Sequence, residues 1–439
     1  MKKILLFFTA MCCMMAANAQ TQPDNEIWYT SADGQVVSPY DANAFEVKIV
    51  TNVYDTKTNK GCITFDGIVT GIGTNAFYKC TNMTSITLPS ALTSIGFQAF
   101  RSCTGLTGIN IPNGVTGIGN YAFQDCTNLT EINIPGSVTG IGNYAFQDCT
   151  NLTEINIPGS VKSIGQGAFE GCTSLLSIEL QSGLMSIGTY VFEDCTSLTG
   201  INIPGSVTSI GAYAFINCTG LTNMIVFAQN PPQLGINVFY SVPANIPVYV
   251  PDANVYSSNE GWNRFNFNFK NIDDDVFAYK QKTLYDINVA LQGITLSDDE
   301  TTAVNELIQT VKDATTIEDA TTAKNAALAI ISQAAIRPVR EAALAAIEAA
   351  MQGETGAYLT GLVQSYIDTI NASTDETSIN NAKNAAVTVL NAVMTAYKAG
   401  KASPFGEKQN GHALIVTNKE GKEFILYAPK KVEYIKVNE

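Results

Sequence analysis

The sequence predicts a β-rich solenoid of 23-residue coils, followed by an all-α region and a small C-terminal β element. Three observations support this prediction. Residues 115–137 recur letter for letter as residues 138–160, and self-similarity at a fixed period of this length is typical of stacked repeats. Cysteine and phenylalanine keep the same 23-residue period through seven consecutive coils. From about residue 273 the composition turns to alanine, threonine, asparagine and glutamate, with apolar residues at helical spacing.

The first 19 residues have the features of a removable secretion signal. Lys2 and Lys3 give a positive start, the apolar run ILLFFTAMCCMMA follows, and Ala17-Asn18-Ala19 offers small residues at the cleavage positions. The run is shorter than the ~20 residues that a membrane-spanning helix needs, and the sequence predicts no other spanning segment. We therefore expect an exported protein at the cell surface or in the medium, with the periplasm left open.

Each coil is predicted to hold one short strand and one helical turn. In the third coil, Leu129, Ile132 and Ile134 have the L-x-x-I-x-I spacing of a leucine-rich repeat strand. Phe123 and Cys126 stand three apart, which places both on the inner side of one helical turn. A single coil buries too few apolar side chains to fold alone, so the coils have to stack.

We number the coils 1 to 7 by their cysteines, which are Cys80, Cys103, Cys126, Cys149, Cys172, Cys195 and Cys218. The phenylalanine column of the same coils is Phe77, Phe100, Phe123, Phe146, Phe169, Phe192 and Phe215.

The motif IGNYAFQDCTNLTEINIPGSVTG resembles the BspA-like leucine-rich repeats of bacterial surface proteins, and the resemblance covers residues 61–227. NEIWYTSADGQVVSPYDANAF is similar to the opening cap of that family. PPQLGINVFYSVPANIPVYVP, with Tyr256, Trp262 and Phe265, is similar to its closing cap. The resemblance implies a secreted or surface-displayed protein with an interaction role, because several members are adhesins for host matrix proteins or other bacteria. It names no ligand.

The region after the solenoid is itself duplicated. AKNAA occurs at residues 323–327 and again at 382–386, and each unit offers three helix-length stretches. We therefore expect two small three-helix bundles in tandem, either as a spacer or as a partner-binding module. Pro338 is predicted in the first turn of a helix and Gly293 at a helix end.

These patterns divide the chain into five predicted segments: a signal peptide (1–19), an N-terminal cap (20–66), a leucine-rich repeat solenoid with its closing cap (67–272), tandem three-helix bundles (273–400) and a C-terminal β-rich tail (401–439).

The mature chain would keep eight cysteines, an even number that usually suggests disulfides in an exported protein. The column arrangement argues against them. Neighbouring coils lie ~4.8 Å apart with parallel side chains, whereas a disulfide prefers Cβ atoms ~3.8 Å apart and a near-perpendicular torsion. We expect buried free thiols that fill space as small apolar groups.

Composition and motifs exclude most enzyme and nucleic-acid functions. The formal net charge is −14, so no basic field is available to hold a phosphate backbone. His412 is the single histidine, and no phosphate-binding glycine motif stands between a strand and a helix. Repeated carboxylates on a regular stack are more often surface decoration than a catalytic pair. We predict no enzymatic activity, no cofactor and no metal.

Two rows of outward side chains are candidate contact surfaces. The candidate interaction face, on the strand side, comprises Thr107, Asn110, Thr130, Glu131, Asn133, Thr153, Glu154, Asn156, Glu179 and Asn202. A second candidate stripe comprises Tyr121, Tyr144, Tyr190 and Tyr213 and is interrupted by Gly167.

Both rows have an alternative interpretation. The strand side is either a protein-binding surface or a solvated β-face without a ligand, and the tyrosines either contact a partner or cover one another, which we favour. The sequence therefore predicts a secreted or surface-exposed repeat protein with adhesin-like binding to a host matrix protein or a bacterial surface protein. The alternative is an architectural or glycan-binding envelope protein.

Overall fold

A computed structural model describes residues 22–351, 357–398, 412–417, 423–428 and 434–436. The predicted signal peptide lies outside the described residues. The chain divides into two compact units, the first reaching Val289 and including residues 315–317, the second comprising residues 290–314 and those from 318 onward.

The first unit begins with three antiparallel strands, β1 (Glu26–Ser31), β2 (Ile49–Asp55) and β3 (Lys60–Phe65), in the order β2-β3-β1. Strand β1 also pairs with the first long strand of the solenoid. The fully buried Phe45 ring lies 5.6 Å from the Phe77 ring, so the apolar core of the coils continues into this segment.

The solenoid that follows has two strands in each coil. The two-residue strands form one parallel eight-stranded sheet: β4 (Gly71–Ile72), β6 (Ser94–Ile95), β8 (Gly117–Ile118), β10 (Gly140–Ile141), β12 (Ser163–Ile164), β14 (Ser186–Ile187), β16 (Ser209–Ile210) and β18 (Gln233–Leu234). The longer strands lie on another side of the coils: β5 (Met83–Thr87), β7 (Gly108–Asn110), β9 (Glu131–Asn133), β11 (Glu154–Ile157), β13 (Ser177–Leu180), β15 (Gly200–Ile203), β17 (Asn223–Val226), β19 (Pro247–Val250) and β20 (Asn268–Asn271).

The phenylalanine column forms the centre of the core, as the period predicts. Successive rings from Phe77 to Phe215 are stacked with centroids 5.1–5.8 Å apart, and all seven are fully buried. The column continues to Phe239 in an eighth coil that the cysteine count missed. In that coil Val242 takes the place of cysteine, since its N–H donates to the Phe239 carbonyl as the N–H of Cys218 donates to that of Phe215.

The cysteines form the hydrogen-bonded column beside those rings. Each thiol of coils 2 to 7 donates to the carbonyl of the phenylalanine in the preceding coil, with Sγ···O distances of 2.9–3.2 Å. The eight cysteines that the structure describes are free thiols, as predicted, and seven of them are buried while Cys62 is half-buried. Burial raises the pKa of Cys80 to about 11 and that of Cys126 to about 12.

Glycine sets how closely the coils approach one another. A Cβ added at Gly142 would lie 2.5 Å from the backbone nitrogen of Asn120 in the preceding coil. Gly142 also donates its N–H to the Ile118 carbonyl at 2.8 Å. A larger residue would therefore break the coil-to-coil hydrogen bond that holds the short strands together.

Two short helices close the end of the coils, α1 (Ala253–Ser258) and α2 (Glu260–Asn263). The Tyr256 hydroxyl donates to the Ala228 carbonyl at 2.8 Å, and the Trp262 indole N–H donates to the Pro232 carbonyl at 2.9 Å. Both side chains are fully buried, so each buried donor has a partner.

The remaining helices are α3 (Val276–Leu291), α4 (Asp298–Asp313), α5 (Ile317–Ala350), α6 (Ala357–Ala372) and α7 (Glu376–Lys398). Gly293 follows α3 with a φ of +77°, as expected at a helix end. In the second unit, the C-terminal half of α5 shares one apolar core with α6 and α7, centred on Ile347, Val363 and Leu390. A division of the region into two three-helix bundles stays a prediction.

Pro338 corrects one expectation, because it lies inside α5 and not in the first turn of a helix. Proline removes one backbone hydrogen bond and usually breaks a helix. Here Ala334 and Ile336 on one side and Ala343 on the other are buried, so packing carries the helix through the proline.

The C-terminal strands are β21 (His412–Thr417), β22 (Glu423–Ala428) and β23 (Tyr434–Lys436). Strand β21 lies between the other two, antiparallel to β22 and parallel to β23. Within the ranges that the structure describes, no helix is long and apolar enough to cross a membrane.

Replacement of Gly142 by alanine tests the close approach of the coils. We expect Gly142→Ala to lower the free energy of unfolding by about 1–3 kcal/mol, because its Cβ would push two coils apart. Gly136→Ala is the matched control, since a Cβ there meets nothing within 4 Å. Chemical denaturation of both variants measures the difference, and equal stabilities would contradict the packing.

Thiol titration tests the cysteine column. In the folded protein we expect a thiol reagent to modify Cys62 slowly and to leave the seven column thiols unmodified, because the thiolate is the reactive form and burial suppresses it. In denaturant without reductant all eight should react. Fewer than eight reactive thiols in the unfolded chain would reveal disulfides and overturn the assignment.

Candidate functional site

The strand face is the row of outward side chains on the long strands of coils 2 to 6. Nine of the ten residues of the candidate interaction face are exposed there, and parallel pairing aligns them in columns. Between coils 2 and 3, Gly108 pairs with Glu131 and Asn110 with Asn133. Between coils 4 and 5, Asn156 pairs with Glu179. Inward neighbours such as Ile155 are buried, so the alternation of the strands separates core from surface.

The polar groups of the strand face differ in what they can offer a partner. The Thr130 hydroxyl donates to the Thr107 carbonyl of the preceding coil at 3.0 Å, so it faces outward as an acceptor. The amides of Asn133 and Asn156 have no hydrogen-bond partner among the described residues, and both remain free to donate and accept. The strand face therefore presents unpaired amides near two hydroxyls, of Thr107 and Thr130, that are already anchored to the preceding coil.

Helix α3 covers the C-terminal end of the strand face. The outward column that is polar at Asn202 becomes apolar at Ile225 and Tyr249, one and two coils further on. Ile225 and Tyr249 are buried in one cluster with Ala278 of α3. The open part of the strand face consequently ends at about coil 6.

Two side chains of α3 fix this cover. The Tyr285 ring stacks on the Phe227 ring at 4.3 Å, and its hydroxyl accepts the Gly205 N–H at 3.1 Å. Asn202 donates to the Gln281 side chain at 3.4 Å and is half-buried, unlike the other nine residues of the candidate face. Sequence reasoning missed this contact, although the outward apolar residues of the last coils are its signal.

The tyrosine row lies on a different side of the coils, before the buried Ala-Phe pair. Tyr121 stacks on Tyr144 with centroids 5.1 Å apart, and Tyr190 stacks on Tyr213 at 5.0 Å. All four are half-buried, so each pair partly covers itself. Gly167 stands between the pairs and is buried.

An open depression of about 510 Å³ occupies the break in this row. We call it the tyrosine notch, and its lining residues are Tyr121, Tyr144, Gln147, Glu170, Tyr190 and Glu193.

Side chains of neighbouring coils form a ladder that ends in the notch. The Gln124 side-chain amide donates to Oε1 of the Gln147 side chain, and the Gln147 amide donates to Glu170 Oε1 at 2.9 Å. The corresponding residue of the next coil is Glu193, whose carboxylate cannot donate a hydrogen bond to Glu170. Burial, and beyond it neighbouring carboxylates, raises the pKa values of both Glu170 and Glu193. In the described part of the chain no lysine or arginine forms an ion pair with either.

The described residues contain no group of three or more histidine, cysteine, aspartate or glutamate side chains arranged to hold a metal ion. Asp125, Asp148 and Asp194 recur in one column, broken by Gly171. Arg101 lies 3.8 Å from Asp125, and Asn217 donates to Asp194 at 2.8 Å. Asp125 and Asp194 are therefore tied to neighbouring coils.

The repeats of this chain match a known protein family. Residues 48–161 and 139–260 match a BspA type leucine rich repeat region, with six copies. The repeat domain of this chain belongs to the BspA-type leucine-rich repeat family. The match confirms the resemblance found in the motif, and extends it beyond residues 61–227 to include the eighth coil. The BspA-type domain is a scaffold consistent with protein interaction.

Among the solved structures that are similar to part of the chain are three leucine rich proteins. A leucine rich repeat protein of T. pallidum is 26% identical, covers 47% of this chain and 91% of its own, with a TM-score of 0.36. One from Bacteroides ovatus is 27% identical and covers 46% and 62%, with a TM-score of 0.32. A leucine rich cell surface protein from Faecalibacterium prausnitzii is 23% identical and covers 45% and 79%, with a TM-score of 0.23. No curated protein matches the sequence.

The raised pKa of Glu193 predicts a pH-dependent stability. A carboxyl with a higher pKa in the folded than in the unfolded state favours folding when protonated and opposes it when ionised. We therefore expect Glu193→Gln to increase the free energy of unfolding at pH 7, by about 1 kcal/mol or less. The gain should vanish as the pH falls below 4.5, the ordinary glutamate value.

Thermal unfolding at pH 7 and pH 4 measures this effect. Glu179→Gln, on the exposed strand face, is the control for the substitution itself, with an expected change near zero at pH 7. A destabilised Glu193→Gln variant at pH 7, or the same gain at both pH values, would contradict the electrostatic account.

Proposed function

We propose that this chain is a secreted or surface-exposed repeat protein that binds another protein through the strand face, in the manner of an adhesin. The observation that carries the proposal is the array of nine exposed polar side chains, aligned in register on neighbouring coils. The partner we propose is a host extracellular-matrix protein or a bacterial surface protein.

Hydrogen bonding and shape would provide the specificity of this surface. The array holds three carboxylates, at Glu131, Glu154 and Glu179, among hydroxyls and amides, so long-range attraction is modest. Strand pairing fixes the backbone under the array within coils 2 and 3 and within coils 4 and 5, which lowers the entropy lost on binding. The array contains no aromatic residue, which favours a protein over a glycan because sugar rings usually bind aromatic platforms.

Binding of the chain from residue 20 to a panel of extracellular-matrix proteins, mucins and glycans tests the proposal. We expect saturable binding to a protein, weakened at least tenfold in the double variant Asn133→Arg/Asn156→Arg, because the substitutions remove the two unpaired amides and put long cationic side chains in their place. Ser163→Arg is the matched control, since it adds the same side chain at an exposed position on the sheet of short strands.

Each alternative has its own signature in this experiment. Binding to glycans alone would favour the glycan-binding alternative, and binding that both arginine variants retain would place the contact elsewhere on the chain. Absence of binding to every member of the panel would favour an architectural role.

A further inference from the structure

The tyrosine notch is separate from the strand face and opens where one coil lacks a tyrosine. Adjacent coils lie ~4.8 Å apart, so Tyr144 and Tyr190 occupy backbone positions about 10 Å apart, two coils from each other. The coil between them has Gly167 at the tyrosine position. The Tyr144 ring leans over this glycine, since an added Cβ would lie 2.4 Å from a ring carbon.

The backbone at the tyrosine position is the same in every coil. Tyr121, Tyr144, Tyr190 and Tyr213 have φ values between 56° and 60°, the left-handed region that favours glycine or asparagine. Gly167 has the same conformation, with a φ of +59°. The other coils have Asn75, Gln98 and Asn237 there, also with positive φ, so the conformation belongs to the repeat and the cavity is set by which side chain each coil carries.

Negative charge without a counter-ion lines the same cavity. Glu170 accepts one hydrogen bond, from Gln147, and Glu193 follows one coil later with no side-chain donor among the described residues. Both carboxylates lie on the lining of the notch with Tyr144 and Tyr190. The cavity therefore combines aromatic walls with two carboxylates that no described lysine or arginine pairs with.

We propose that the tyrosine notch binds the guanidinium group of an arginine side chain from a protein or peptide partner. The group is planar and cationic, so its faces can stack on the rings of Tyr144 and Tyr190. Its N–H donors can pair with Glu170 and Glu193, and the fork geometry suits carboxylates. A lysine ammonium satisfies the carboxylates without stacking as a plane, while a neutral sugar or a phenyl ring leaves the charge uncompensated.

This site goes beyond the proposed strand-face function. Its lining residues belong to the turns of coils 3 to 6, and none of them is among the ten residues of the candidate interaction face.

Blocked tripeptides acetyl-Gly-X-Gly-amide, with X as arginine, lysine, phenylalanine or glutamine, are the probes of choice, together with chitotriose as a neutral sugar. Ligand-detected NMR titrations against the chain from residue 20 measure their affinities. We expect saturable binding of the arginine peptide, at least fivefold tighter than the lysine peptide, and weaker binding at higher salt.

The variant Gly167→Tyr fills the notch with the missing ring. Its backbone already has the φ of the other four tyrosines, and the Tyr144 ring and Glu170 Oε2, which lie 2.4 and 2.8 Å from an added Cβ, have to move aside for the new side chain. We expect at least a tenfold loss of arginine-peptide affinity. Ser163→Arg, on the sheet of short strands, is the control that should keep it.

The double variant Glu170→Gln/Glu193→Gln removes the negative charge of the notch, and it tests the proposal even if Gly167→Tyr fails to fold. We expect it to bind the arginine peptide at least tenfold more weakly, with the folded state checked by circular dichroism. Equal binding of the arginine and phenylalanine peptides, preference for chitotriose, or unchanged affinity in a folded notch variant would overturn the proposal. Strand-face binding is scored with different variants and probes, so either site can fail without the other.

Discussion

Hydrogen bonding between neighbouring coils is the constraint on which the rest of the structure depends. In one coil pair, the Gly142 N–H donates to Ile118, the Phe123 N–H donates to Ala145, and the Cys149 thiol donates to Phe123. These bonds span 24, 22 and 26 residues, and the same spans recur in neighbouring coils. The step to the eighth coil is one residue longer, with Ser209 paired to Gln233, and the extra residue is absorbed between β17 and β18. The constant period of 23 residues therefore preserves every bond through the seven cysteine coils, and it explains why two coils can be identical in sequence.

A strict register also determines how the outward side chains of this protein are arranged for a partner. Each outward position becomes a column about 4.8 Å in repeat, and a regular column alone distinguishes no place along the solenoid. Distinct sites arise where a column changes. Asn202 gives way to Ile225, where α3 covers the strand face, and Tyr144 gives way to Gly167, where the tyrosine notch opens. The strand face ends at the first of these changes, and the tyrosine notch lies at the second.

The sequence predicted what the period controls and missed what depends on single departures from it. The buried columns, the free thiols and the exposed strand face follow from the repeat, because alternation and spacing determine which side chains point inward. The eighth coil was hidden because Val242 replaces cysteine. The cover by α3 depends on Tyr285 meeting Phe227, a contact between distant segments that no local pattern encodes. Pro338 was placed wrongly because tertiary packing of α5 overrides its local preference.

Deletion of one repeat tests the register most directly, because residues 138–160 duplicate residues 115–137. Removal of 138–160 joins Ser137 to Val161 and restores every coil-to-coil bond in a shorter stack. Removal of 138–149 takes out half a repeat, so the strands and turns that follow face the wrong elements of the preceding coil. Circular dichroism and denaturant unfolding should show a folded, cooperative protein for the first deletion and a loss of at least several kcal/mol for the second. Equal stability of the two deletion variants would contradict the register account.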